Sequence, residues 1–125
     1  MQNLLKDISF KAEDKKLANM FSDKSQSIAQ KLDGDIKTTQ FRKFYEKVLE
    51  LNEKASGLED SDFDIKILPF VKMINSKVQY SYTRKHCGNN FVALMEGSIK
   101  IVNSKEELQN FKYFLESIIG FMPKK

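Results

Sequence analysis

From residue 41 onward, apolar side chains return every three or four positions, and that period commits the chain to helices. Phe41, Phe44, Tyr45, Val48, Leu49 and Asn52 trace one side of an amphipathic helix. Ile67, Phe70, Val71, Ile74, Val78 and Tyr82 repeat the pattern as the core face of a second segment. Leu108, Phe111, Leu115, Ile118, Ile119 and Met122 form a wide apolar stripe on a third. With five Gly and two Pro there are few sites for the tight turns of a many-stranded β fold. The pattern predicts an all-α, compact bundle of about five helices, with short connections and no internal repeat.

Local signals place the boundaries. A helix is predicted from about Asp14 to Leu32, interrupted by the polar run Ser22 to Ser27. Gly34, in Asp33-Gly34-Asp35, suits a left-handed cap at its end. Thr38 or Thr39 serves as N-cap of the Phe41 helix, because its hydroxyl accepts from a free first-turn N–H. Gly57 and the acids that follow mark a loop. The next segment runs from about Asp62 to Lys85, and Pro69 either kinks it or occupies the first turn of a helix that begins there. Gly88-Asn89-Asn90 is a turn, followed by a short helix from Phe91 to about Val102 that buries Phe91, Met95 and Ile99. Ser104 and Glu107 have capping-box spacing, and the last helix ends between Gly120 and Pro123, before an exposed Lys124-Lys125.

A chain of 125 residues with 41% hydrophobic and 30% charged residues fits one soluble domain, residues 1–125, of which 1–35 carry the weakest pattern. Its apolar runs fall short of the roughly 18 residues a membrane span requires. The N-terminus lacks the basic and apolar regions of a signal peptide. The single Cys87 cannot form an internal disulfide, and the cytoplasm is the expected location.

Parts for catalysis are missing. His86 and Cys87 are sequence neighbours, which point apart on a helix, so they make a poor dyad and are expected to be a surface-facing pair of no special role. One His and one Cys do not make a structural zinc site. The acids Glu59, Asp60, Asp62 and Asp64 lack EF-hand spacing and are expected to lie in a solvated loop. No phosphate-binding Gly loop is present. The chain is therefore expected to be no enzyme, with no catalytic or metal-binding residue and no cofactor.

Charge is more informative in its distribution than in its sum of +4. After that acidic patch, Lys66, Lys72, Lys77, Arg84 and Lys85 follow with no acid between Ile65 and Met95. A basic element of this kind attracts a polyanion such as RNA. A solvated helix face that happens to lack glutamate would look the same.

Three segments, in order, bear a family likeness. Ile36-Lys37-Thr38-Thr39-Gln40-Phe41-Arg42 resembles the Thr-Thr-x-x-Leu-Arg helix start of the small subunit of the type III-A CRISPR (Csm) effector complex. Val78-Gln79-Tyr80-Ser81-Tyr82-Thr83-Arg84 resembles that family's aromatic-rich helix, and Glu107 to Phe121 its terminal helix. The likeness covers about Ile36 to Met122. Thr83 stands where the family usually has Gly, and Gln40 where several relatives carry Lys. The resemblance implies a non-catalytic subunit that lines up in copies of itself as a filament beside the backbone and large subunits. It would help hold target RNA paired to the guide RNA in antiviral defence.

Helical geometry and the resemblance together select the RNA-binding candidates, the resemblance favouring Lys77 and Arg84 and tipping Arg42 toward RNA. At about 100° per residue, Lys77, Tyr80 and Arg84 fall within roughly 60° of one another, flanking the core face. Two cations with an aromatic between them suit an RNA strand, through phosphates and a stacked base. Tyr80 would equally serve as a half-buried core residue with its hydroxyl at the surface. Lys85 is expected where that helix ends, within reach of a phosphate or the last free carbonyls. Arg42 and Lys43 lie in a first turn whose N–H groups favour an anion, though Arg42 is also placed to pair with Glu46. Lys37 completes the set. A stand-alone helical protein-interaction module, docking a partner through Phe114, Phe121 and Met122, is the alternative, and a small nuclease relying on His86 is a third.

Overall fold

The computed structural model describes residues 1–12 and 15–122. Helices follow in the order α1 (Gln2–Leu5), α2 (Lys16–Asn19), a π-helical turn (Met20–Lys24), α3 (Ser25–Leu32), α4 (Thr38–Ser56), α5 (Asp60–Lys66), α6 (Leu68–Thr83), α7 (Asn89–Lys100) and α8 (Lys105–Phe121). Among the described residues the five of eight residues or more are α3, α4, α6, α7 and α8. The one β-type pairing among them is an isolated bridge between Ile36 and Cys87. The molecule is an all-α bundle. The expected helix start at Asp14, and the expectations for Pro123, Lys124 and Lys125, lie outside the described residues.

Helix α8 is the hub. It packs against α4 on one side and α3 on another, while α7 is sandwiched with α6 and also meets α1 and α3. Phe111, Phe114, Leu115 and Ile118 of α8 are fully buried with Phe41, Phe91, Leu94, Met95 and Ile99. Phe114 and Met122 therefore belong to the core and are not free to dock a partner; of the three aromatic and apolar residues expected there, Phe121 alone is exposed.

The weakly patterned N-terminus is part of this core. Phe10 is fully buried, its ring 5.4 Å from Phe111 and 5.7 Å from Phe114. Asn110 Nδ2 donates to the Phe10 carbonyl at 2.7 Å, and Ala12 N–H donates to Glu106. The polar run Ser22 to Ser27 does not break the helix. The chain passes through the π turn, in which the Ser25 hydroxyl donates to the Met20 carbonyl five residues back. That wider turn rotates the register so that Met20, Ser25, Ile28, Ala29 and Leu32 all face inward.

Helix ends correct several expectations. The N-cap position of α4 is Lys37, with Thr38 and Thr39 already in the first turn and no side chain capping. The acids from Asp60 onward form a helix, α5, in place of the expected loop, with Asp60 and Asp62 in its first turn where the helix dipole favours negative charge. Pro69 occupies the first turn of α6, where its missing N–H costs nothing. Phe70 and Tyr82, expected in the core, are 49% and 40% exposed, because Ile67, Val71, Ile74, Val78 and Ser81 fill the buried face. On α4 the inward residues are Phe41, Val48, Leu51 and Ala55; Leu49 is only half-buried. At α8 the Ser104 hydroxyl accepts from the Glu107 N–H at 3.1 Å, and the Glu107 carboxylate accepts from Asn103, one residue before the N-cap.

Two long-range contacts fix α7. Its N-cap is Gly88, which has no side chain to offer, and the Asp35 carboxylate takes that role from the α3–α4 loop. It accepts from the N–H groups of Asn90 at 3.1 Å and Phe91 at 2.8 Å. Gly34, at φ +78°, makes the left-handed turn that brings Asp35 there. At the other end, Lys72 Nζ donates to the Ile99 and Lys100 carbonyls at 2.8 and 3.3 Å. Burial pushes the Lys72 ammonium below its usual range, with nearby Glu107 opposing the change.

Candidate nucleic-acid interface

Helix α6 ends in a Schellman motif. The Lys85 N–H donates to the Tyr82 carbonyl at 3.0 Å and the His86 N–H to the Ser81 carbonyl at 2.9 Å. This geometry needs one left-handed residue, and Lys85 supplies it at φ +64°. The helix thus stops at Thr83 without a glycine, and the chain turns back so that Cys87 pairs with Ile36. Cys87 is buried there, contrary to the surface position expected of it, and burial beside Asp35 pushes its thiol up. His86 remains exposed.

That turn sets the end of α6 against the start of α4. A recess of about 590 Å³ is lined by Lys43, Phe44 and Lys47 of α4, Lys77 and Tyr80 of α6, and Gln40 and His86. Its lining carries three lysines and no carboxylate. A second recess of about 700 Å³ is lined by Lys37, Thr38 and Thr39 at the start of α4, by Lys85, and by Asp33 and Asp35. Gln40 and His86 line both. Of the residues selected from the sequence, Lys43, Lys77 and Tyr80 border one recess, and Lys37 and Lys85 the other.

Arg84 joins through Tyr80. Its Nη1 donates to the Tyr80 hydroxyl at 2.9 Å, and its Cζ lies 5.2 Å from the ring centroid. Tyr80 is 63% exposed, so it is not the half-buried core residue that its spacing also allowed. Arg42 is exposed but borders neither recess. It lies near Tyr45, whose hydroxyl donates to Glu116 of α8 at 2.8 Å. Burial and that carboxylate push Tyr45 up to about 12.

The basic run divides by role. Lys72 caps α7, and Lys66 lies 4.0 Å from Asp62 one turn earlier. Lys77, Arg84 and Lys85 are exposed on the recess side or its margin. Sequence reasoning missed Lys47, Gln40 and His86. Lys47 had a signal, since it lies four residues after Lys43 and shares its side of α4. Lys47 also pairs with Glu50 at 3.4 Å.

Along α6, Phe70, Met73, Lys77, Tyr80 and Arg84 are spaced alternately by three and four, and all are exposed. The first half of this stripe is apolar and the second half is cationic and aromatic; Ile65 of α5 is a further exposed apolar residue, at 74%. Among the described residues, no group of three or more His, Cys, Asp or Glu is placed to hold a metal ion, and no helix is long and apolar enough to cross a membrane.

The fold and this face define a small all-α protein with a cationic groove between two helices. The chain belongs to the Csm2 Type III-A family, whose model matches residues 14–122, and is a small subunit of the type III-A CRISPR Csm complex. The match takes in α2 and α3, beyond the region where sequence likeness was visible. No curated protein and no solved structure matches it significantly.

Proposed function

We propose that this subunit is a non-catalytic scaffold whose α4–α6 face holds RNA within the Csm complex. The observation that carries this reading is the recess between Lys43, Lys47 and Lys77, cationic, bordered by Tyr80 and free of carboxylates. Such a groove neutralises phosphates without reading bases. The RNA is target RNA paired to the guide, and pairing itself supplies sequence recognition. The apolar half of the α6 stripe, Phe70 and Met73 with Ile65, supports contact with protein neighbours. These are the backbone and large subunits and further copies of the chain in a filament, serving antiviral defence in the cytoplasm. Membership of the family favours this reading over a stand-alone interaction module.

The test is target-RNA affinity of the reconstituted complex across a salt series, comparing wild type with Lys77→Glu plus Arg84→Glu. Weaker binding with a salt slope shallower by about 0.7 per lost phosphate contact is expected. An unchanged slope in a fully assembled complex would remove RNA from this face.

A further inference from the structure

His86, like Gln40, stands where the two recesses meet. The Schellman bond from its N–H to Ser81 fixes its backbone, while the residue is exposed and lines both depressions. Lysines stand on either side: Lys43 and Lys77 in one recess, Lys37 and Lys85 in the other. A strand running from one recess to the other meets His86 and Gln40, the two residues that line both. We propose that His86 is an RNA contact joining the two recesses into one path, and that its protonation strengthens RNA binding. The inference rests on the reading of this face as an RNA surface.

The chemistry follows from the ring. Neutral imidazole offers one N–H donor and one acceptor, whereas imidazolium offers two donors and a positive charge. Phosphodiesters keep their negative charge across the range in which histidine titrates, so protonating an imidazole adds a positive charge to the protein and leaves the RNA's charge unchanged. The charged and titratable groups facing His86 are Lys37, Asp33 and Asp35 from the α3–α4 loop, Lys43 and Lys47 from α4, Lys77 and Tyr80 from α6, and Lys85 beside it. Asp35 is committed to the N–H groups of Asn90 and Phe91.

The experiment uses complexes reconstituted with wild type, His86→Asn, His86→Arg or Lys43→Glu plus Lys77→Glu. A labelled target RNA is titrated from pH 8 to pH 5.8 at fixed salt, with assembly checked for each. Wild type is expected to bind about two- to fivefold more tightly at the lower pH, beyond any change shown by His86→Asn, as one exposed charge contact allows. His86→Arg is expected to bind tightly with the His86→Asn pH profile. Identical pH profiles for wild type and His86→Asn, with binding still weakened by the lysine reversal, would overturn the role of His86 and leave the RNA face standing. Binding indifferent to both histidine and lysine changes would overturn both.

Discussion

Arg84 and Tyr80 form a closed pair: the guanidinium donates to the hydroxyl at 2.9 Å and also lies over the ring, 5.2 Å from its centroid. Residues four apart on a helix are neighbours, so the contact is local, but it changes what Tyr80 does. The aromatic orients a cation as well as offering a surface for stacking. Tyr80→Phe keeps the ring and loses the hydroxyl that steadies Arg84. RNA affinity of the complex is expected to fall about two- to fivefold, the worth of one exposed hydrogen bond, with folding stability within about 0.5 kcal/mol of wild type. If stacking alone mattered, Tyr80→Phe would bind as wild type and Tyr80→Leu would not. Fluorescence anisotropy with each variant separates the two.

The left-handed Lys85 provides a way to part stability from binding. A non-glycine residue at φ +64° is disfavoured sterically, and glycine is not. Lys85→Gly is expected to stabilise the chain by about 0.5 kcal/mol in urea unfolding, net of the extra freedom glycine gives the unfolded state. The same change removes a cation beside the recess, so RNA affinity should fall while the midpoint rises.

Asp35 and Gly88 are coupled across 53 positions of sequence by close packing at the α7 N-terminus. A Cβ on Gly88 would lie 2.3 Å from Asp35 Oδ1. Asp35→Ala is expected to cost about 1 kcal/mol through the lost cap. Gly88→Ala is expected to cost about 1–3 kcal/mol by displacing that carboxylate. In the double variant the obstruction is gone, so in a double-mutant cycle its loss should be smaller than the sum of the two single losses.

Phe10 packs against both Phe111 and Phe114 and is fully buried. Phe10→Ala is expected to destabilise by about 3–5 kcal/mol, measured by chemical denaturation. A loss below 1 kcal/mol would mean that the N-terminal segment is not part of the cooperative core.

Tyr45 gives a pH prediction at the alkaline end. Its folded pKa is raised from 10.0 to about 12. The stabilisation this represents is therefore fully present below pH 10 and lost as the pH rises toward 12, because the unfolded state gives up the proton first. Tyr45→Phe should be less stable than wild type at pH 8, and the gap should narrow when melting is followed from pH 10 upward.

Much of the helical layout was written in short stretches of sequence. The capping hydroxyl of Ser104 and Gly34 in its left-handed turn each act on backbone groups within a few residues, so local chemistry identifies them, while for Pro69 it left a kink and a first turn both open. The inward faces were less legible. Phe70 and Phe114 have equal claims on a core by composition, yet one is half exposed and the other fully buried. The candidate site was legible in part: the α6 cations share a face by helical geometry alone, whereas Lys47 and His86 join the recess lining only where α4 meets the end of α6.

The sequence by itself determined that this chain would be helical, and where most helices start and stop, because those choices depend on propensity, caps and turn residues within one or two turns. The tertiary structure decided that Asp35 caps α7, that Lys72 closes its other end, that Phe10 completes the core, and that Lys37, Lys43, Lys77 and Lys85 gather around His86. These contacts join residues distant along the chain. The burial that brings them together is non-directional, so only the packed arrangement of all the helices selects its partners.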